Sequence, residues 1–377
     1  VPGGTREGER SAFAAPRAPA ETAVVPRHSR CASAAVAFCV AFALVACGPA
    51  EVQREVLVFG TTATLALRGP ATEPLERAAD DIERRLATRE REWHPWRDSD
   101  LTRLNAALAR GEAAPTTPAI IDLIARARPL VADSEGTFDP AAGALVRAWG
   151  FHTGDWPSRI AVDAALIAAW PTQRPRFDDL VVEGDRVRAV AGRPQLDFNA
   201  IAEGVAAVEA LSALRRHGVR SALLDLGGDV VARGDAGGRP WRVALRDPGG
   251  GVLGWVDLAD GEALFASGAY AKFRADGTRR RPHVVDPRSG QTAEGSQASA
   301  VLLDDPVRAD AGATALMVSG AAQFAQRVAG MRLRCALLLT DDDVLHLTAG
   351  LDRRLVLLRE PARKVVHPGP EACRATG

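Results

Sequence analysis

The hydrophobic period of this chain changes again and again, and the order of those changes constrains the fold most. Leu57-Val58-Phe59-Gly60-Thr61-Thr62-Ala63-Thr64-Leu65-Ala66-Leu67 alternates with period two and reads as a first strand broken at a glycine. From Glu73 to Trp93 the apolar positions Leu75, Ala79, Ile82, Leu86 and Trp93 recur at helical spacing, with Asp80, Asp81, Glu83, Arg84 and Arg85 on the wet face. A second helix is expected from Pro118 to Ala132 with a kink at Pro129. Leu180 to Val190 carries Glu183-Gly184-Asp185 between two alternating runs, a hairpin signal. A helix over Ala200 to Arg216 stops before Gly218.

Strands are expected at Ala222–Leu226, Trp241–Arg246, Ala263–Ala266, Ala298–Leu303, Cys335–Leu339 and Leu355–Leu358, with one more helix at Val307–Val318. Hairpins and helices in this mixture, without regular strand–helix–strand alternation, predict an α+β fold of mixed, mostly antiparallel sheets with packed helices. No linker divides residues 52–360, which are read as one large domain, and residues 361–377 read as an irregular tail.

Residues 1–47 read as an address. Arg27, His28 and Arg30 precede the apolar stretch Ala32 to Ala46, about fifteen residues, which is a secretory pattern and short for a spanning helix. The stretch ends Leu44-Val45-Ala46-Cys47-Gly48, similar to the bacterial lipobox, so lipid on Cys47 is expected to hold a periplasm-facing protein on the bacterial cell envelope. An uncleaved anchor with a chance cysteine is the competing reading. The chain starts at Val1 and its methionines are Met317 and Met331, so Val24 or Val25 is a plausible start and residues 1–23 are assigned no structure.

The formal net charge is zero, which gives no sign of a nucleic-acid partner. Arginine dominates the cations, with Lys272 and Lys364 the only lysines. None of the five cysteines has the C-x-x-C spacing of a zinc or redox motif. Cys335 in its apolar run reads as a buried thiol, and a Cys335–Cys373 bridge is the alternative in an oxidising compartment.

Several short motifs could carry chemistry. Asp310 and Thr314 are four apart on one helical face, and a carboxylate with a hydroxyl suits a hard cation such as magnesium. The same spacing occurs in any ordinary helix. Leu226-Gly227-Gly228-Asp229 and Ala266-Ser267-Gly268 each end a strand, and either is a plain turn or a backbone approach to a ligand. His283 precedes the turn Asp286-Pro287-Arg288-Ser289-Gly290 and is either a general base or a half-buried histidine in hydrogen bonds.

Eight motifs in order change the weight of these readings: Phe59–Thr62, Asp98–Asn105, Gly136–Pro140 with Trp149-Gly150-Phe151, Asp197–Gly204, Leu226–Asp229, Ala266–Gly268, His283–Gly290 and Ala309–Ala315. Over residues 55–358 the chain resembles the ApbE family of FAD:protein FMN transferases, many of them envelope lipoproteins. The resemblance implies that FAD is cleaved at its pyrophosphate, FMN is joined to a threonine of a target protein, and AMP leaves. It implies FAD contacts from Phe59, Trp96, Thr137, Phe138, Asp139, Asp197, Glu203 and Val285. It also implies Mg2+ on Asp310, Thr314 and the carbonyl of Ala200, and a target flavoprotein subunit of an envelope redox complex. His283 is the first choice for the general base and Asp139 the second.

The chain departs from the family pattern at Asn199-Ala200 and Glu203, where Gly-Gly and Lys are frequent, at Ala269, where an aspartate is frequent, and at Ala313, where some members carry a second metal carboxylate. An FAD pyrophosphatase yielding FMN and AMP, and a flavin-binding lipoprotein without turnover, are the alternative functions.

Overall fold

The structure, a computed structural model, describes residues 49–277, 279–369 and 372–373. Cys47 and the apolar stretch before it lie outside these residues. No helix among the described residues is long and apolar enough to cross a membrane.

A nine-stranded sheet forms the middle of the molecule. Its strands run, in spatial order, Ala50–Val58, Thr61–Gly69, Ser221–Leu226, Val230–Arg233, Ala263–Gly268, Ser296–Leu303, Cys335–Thr340, Val344–Thr348 and Arg363–His367. Every neighbouring pair is antiparallel except the last, Val344–Thr348 with Arg363–His367. Successive side chains on a strand point to opposite faces. Accordingly Ala263, Phe265, Val301, Leu303, Ala336 and Leu338 enter one core, and Leu264, Ala300, Leu302, Cys335, Leu337 and Leu339 enter another. Burial on both faces explains why Cys335–Leu339 reads as an unbroken apolar run.

On the first face lie the helices Thr72–Trp93, Pro118–Asp133, Asn199–Arg216 and Pro306–Ser319. The second face packs against the smaller sheet of Trp241–Arg246, Val252–Leu258 and Val356–Leu357. A third cluster, with Leu145, Trp149, Phe151, Trp170 and Val285, supports the loops between. The mixed α+β architecture expected from the sequence is the one observed.

Three local expectations are corrected. Leu57–Leu67 is not one broken strand but a hairpin whose two turn residues, Phe59 and Gly60, have φ of 53° and 71°. Two positive φ values in succession match the twist of a two-residue hairpin loop. Asp100–Arg110 is a helix the apolar period did not announce, begun by a capping box in which Ser99 and Thr102 exchange backbone bonds. Beyond Pro361 the chain is not irregular throughout, because Arg363–His367 adds the edge strand of the main sheet.

Cys335 is not a free thiol. It is bridged to Cys373, Cα to Cα 5.0 Å, which ties the C-terminal segment to the second core. The bridge closes 38 residues of sequence, so its removal is expected to cost about 2–4 kcal/mol. Cys373→Ala should lower the denaturation midpoint accordingly under non-reducing conditions, and reductant should abolish the difference between the two proteins.

Candidate active site

Two helices meet through a glycine. In the Asn199–Arg216 helix, a Cβ on Gly204 would lie 2.7 Å from the carbonyl oxygen of Pro306 and 2.9 Å from Cα of Val307. Only glycine lets the Pro306–Ser319 helix approach this closely. The approach brings Asp310, 6% exposed, to the backbone of its neighbour, where Oδ2 accepts from the Gly204 N–H at 2.9 Å. Gly204→Ala is expected to cost about 1–3 kcal/mol, because the obstructing atoms are backbone. The same change should weaken any ligand bound at Asp310. Thermal melting and ligand titration of the variant check both parts.

In a regular helix the N–H of Gly204 points at the carbonyl four residues earlier, that of Ala200. Asp310 and the Ala200 carbonyl therefore flank one N–H group. Thr314, one turn after Asp310, places its Oγ1 3.3 Å from Ser267 Oγ at the end of the Ala263–Gly268 strand. Ala313 beside it is buried, and its carbonyl accepts from Ser299 Oγ at 2.7 Å.

Asp229 belongs to the same neighbourhood. Gly227 turns the chain at φ 75° where a Cβ would strike Thr61 Oγ1 at 2.2 Å, so the turn reading of this motif is correct. The aspartate does more than close that turn, since Oδ1 accepts from Ala266 N–H on the adjacent strand at 2.8 Å. Burial, then the charge of Glu203, holds the Asp229 carboxyl well above the ordinary range. Asp310 is raised for the same reasons, with Asp229 adding to them. Glu203 is pushed up to about 7 by burial, against the opposing pull of Lys272. Glu203 raises Asp229, and both raise Asp310, so this cluster of carboxyls is short of positive charge.

Among the described residues no three His, Cys, Asp or Glu side chains close on a single metal position. Any cation here would draw on the Asp310 carboxylate, the Thr314 hydroxyl, the Ala200 carbonyl and oxygens of a ligand. That all-oxygen donor set fits a hard divalent ion such as Mg2+, which normally keeps several positions for water and phosphate.

His283 follows the strand Arg279–Pro282 and is held by one peptide group. The carbonyl of Lys272 accepts from its backbone N–H at 3.0 Å and lies 3.1 Å from its Nδ1. A carbonyl only accepts, so Nδ1 carries the proton and Nε2 keeps a free lone pair. Burial, then Lys272, depresses the imidazole to about 4 and keeps it neutral. Trp156 meets its ring edge-on at 6.0 Å.

Aromatic candidates pair in two places. Trp96 stacks on His152 at 5.1 Å, and His152 Nε2 lies 3.0 Å from Asp197 Oδ2. Asp197 Oδ1 accepts from Asn199 N–H at 3.0 Å, at the start of the glycine-bearing helix. Phe59 stacks on Trp93 at 6.3 Å and hydrogen-bonds through its N–H to Glu90. A bulky residue at φ 53° is strained backbone, and such strain collects at functional positions.

Other sequence candidates sit differently. Thr137 and Phe138 are 1% and 3% exposed, and the Thr137 hydroxyl donates to the Ser134 carbonyl at 2.8 Å, which leaves mainly backbone to meet a ligand. Val285 is buried among Trp149 and Trp170 and bridges to Thr292. Asp139 accepts from Ala141 N–H at 2.8 Å and is raised to about 6 by burial, with Arg174, Asp178 and Arg176 as its charged neighbours. The charged groups felt by His283 are Lys272 and Asp197, so the two candidate bases occupy different surroundings. Sequence reasoning missed Lys272, His152 and the need for Gly204. The rarity of lysine in this chain was the one available signal for the first.

The ApbE family matches residues 59–337. The FAD:protein FMN transferase of Rhodobacter capsulatus is 38% identical over 306 residues, 81% of this chain and 58% of that protein. That of Treponema pallidum is 32% identical over 298 residues, 72% of this chain and 79% of the relative. The apo form of Pseudomonas stutzeri flavinyl transferase ApbE superposes with a TM-score of 0.67 at 30% identity, covering 78% of this chain and 92% of that one. The Vibrio cholerae flavin transferase ApbE shares the fold, with a TM-score of 0.71 at 22% identity over 82% of this chain and 100% of its own.

Proposed function

The chain belongs to the ApbE family, and we propose that it is an exported, magnesium-dependent FAD:protein FMN transferase. The reading is supported by Asp310 and the Ala200 carbonyl flanking the Gly204 N–H, by Thr314 one turn on from Asp310, and by a neutral His283 that, like Glu203 and Asp229, feels the charge of Lys272. Phe59, Trp96 and Asp197 offer stacking surfaces and a hydrogen-bond acceptor for the dinucleotide.

In the proposed reaction the threonine oxygen of the acceptor forms a bond to the FMN-side phosphorus of FAD. The phosphoanhydride bond breaks, and AMP leaves with the bridging oxygen. The threonine proton passes to His283 Nε2, whose partner nitrogen is already fixed on Lys272. Mg2+ held by Asp310, Thr314 and the Ala200 carbonyl would neutralise pyrophosphate charge and polarise the phosphorus. The remaining work of the chain is positioning, since phosphoryl transfer asks little covalent chemistry of a protein.

Export is part of the proposal. A Cys335–Cys373 bridge suits an oxidising compartment, and lipid on Cys47 would place the protein on the envelope beside a flavoprotein subunit of a redox complex. Incubation with FAD, Mg2+ and envelope proteins of the source cell is expected to give a flavin-fluorescent band in a denaturing gel, with AMP in equal amount. AMP without any labelled protein would mark a pyrophosphatase. FAD binding with neither product would mark a carrier, and either result would overturn the transferase reading.

A further inference from the structure

His152 joins two of the residues expected to meet FAD. It follows Phe151 in the loop after the helix Gly143–Ala148, and the side chains of His152 and Asp197 are 5% and 7% exposed. A carboxylate only accepts, so the imidazole Nε2 carries the proton and donates to Asp197 Oδ2 at 3.0 Å. The face of the same ring lies against Trp96, with centroids 5.1 Å apart and planes 20° from parallel. Trp96 itself is half-buried.

The neighbours of these two residues are held by other means. The Asp197 backbone N–H donates to the Pro140 carbonyl at 2.9 Å, and Oδ1 accepts from Asn199 N–H. A Cβ on Gly143 would lie 3.2 Å from Cβ of Asp197, so the helix leaves little slack on that side. His94 meets the edge of the Trp96 ring at 4.4 Å, and its Nδ1 accepts from the Trp96 backbone N–H at 3.3 Å. What these contacts leave free is rotation of the Asp197 carboxylate and rocking of the Trp96 plane. One imidazole restrains both.

The arrangement is a poor one for stability alone. Nδ1 of His152 is buried and has no hydrogen-bond partner among the described residues. An unpaired buried polar atom is costly, and a phenylalanine would fill the space without one. Such breaches of packing logic are expected where function requires them. Because Nδ1 is shut off from solvent, the task of the ring lies in what it holds and not in a ligand contact. Its loop is anchored by Trp149 and Phe151 in the third cluster and by Trp149 Nε1, which donates to the Gly290 carbonyl at 2.9 Å.

We propose that His152 is a positioning residue for FAD: it orients the Asp197 carboxylate and fixes the plane of Trp96, so that both meet the dinucleotide in one geometry. The proposal rests on the reading in which Trp96 and Asp197 contact FAD. A site ordered before its ligand arrives loses less freedom on binding. The link reaches the proposed metal donors too, since Asn199, the other partner of Asp197, opens the helix that carries the Ala200 carbonyl.

The test measures FAD affinity by flavin fluorescence on the full chain with Mg2+, and turnover with envelope proteins as acceptor. His152→Phe keeps a flat ring and drops the donor, and is expected to weaken FAD binding about tenfold. His152→Gln keeps a donor and drops the ring, for a loss of about threefold. In both, the KM for FAD should rise by the same factor while kcat stays within about twofold. In an Asp197→Ala background His152→Phe should cost no more than about twofold further, the mark of a residue that acts through another. That double variant should melt no lower than His152→Phe alone, because the carboxylate left unpaired is gone, yet its FAD affinity should stay low.

Parental FAD affinity in both single variants, whatever their melting temperatures, would overturn the proposal and leave His152 a structural residue. A full second loss in the Asp197→Ala background would overturn it as well. Where His152→Phe fails to fold, His152→Gln decides by the same readout. Parent protein that binds FAD but labels no acceptor would refute the transferase and spare this inference, whereas parent protein that binds no FAD would remove both.

Discussion

Asp310→Ala is expected to abolish flavin transfer, with turnover lower by about three orders of magnitude and the fold retained. The expectation follows from how few groups can replace it. Asp310 and Thr314 are the side-chain donors available beside the Ala200 carbonyl, and the adjacent Ala313 carries no carboxylate. The fold should survive because the lost carboxyl is itself strained, raised by burial and by Glu203 and Asp229. Removing it relieves repulsion while deleting one hydrogen bond, to Gly204 N–H. Opposing effects of about 1–3 kcal/mol each leave little net change in stability. Thr314→Val should be milder, because a neutral donor is lost and not a charge. Steady-state transfer, melting temperature and FAD affinity, measured on both variants, check the argument. Substantial turnover by Asp310→Ala would sink the assignment of this carboxylate.

The same residues show how far a single sequence can be read. Asp310 and Thr314 were four apart, and nothing in that spacing separates a ligand pair from an ordinary helical turn. Their partners come from elsewhere in the chain: Gly204 lies 106 residues from Asp310 and Ser267 lies 47 from Thr314. Local pattern carries no record of such encounters, and only the resemblance of eight ordered motifs joined them. The helices Thr72–Trp93 and Pro118–Asp133 were legible because their buried residues recur at helical spacing on one face. The main sheet was legible only in pieces, since strands buried on both faces, such as Cys335–Thr340, show no alternation.

Phe59-Gly60 looked like a break because a positive φ on phenylalanine is not written in residue type. The edge strand Arg363–His367 was hidden in a polar segment whose alternation is weak, and its place is set by pairing with Val344–Thr348. The Cys335–Cys373 bridge could not be chosen over a buried thiol until the tail was seen to return to the second core.

Without divalent cations, the protein is expected to lose stability as pH rises from about 6.5 to about 8, and Mg2+ is expected to oppose the loss. Glu203 is raised from 4.5 to about 7 in the folded chain, and Asp229 and Asp310 are raised well above 3.8. A carboxyl raised by folding holds a proton that the unfolded chain has released. Its stabilising contribution is therefore present below the unfolded value and lost as pH climbs through the folded one. His283 works in the opposite sense. Depressed from 6.5 to about 4, it adds stability as pH rises between those values, so it offsets the carboxyls below pH 6.5 and no longer does so above. The window above 6.5 thus isolates the carboxyl cluster.

Each proton held only by the folded state costs about 1.4 kcal/mol per pH unit as pH rises. Glu203, which releases its proton around pH 7, gives a loss of about 1 kcal/mol across the window. A cation bound to the ionised cluster stabilises the folded state by mass action, about 2.7 kcal/mol at a hundredfold excess over its dissociation constant. Melting curves at several pH values with chelator, and again with excess Mg2+, read both effects. Glu203→Gln should flatten the chelator series. A melting temperature that stays level or climbs over this window in chelator would show that these carboxyls do not form the repelling cluster on which the proposed chemistry depends.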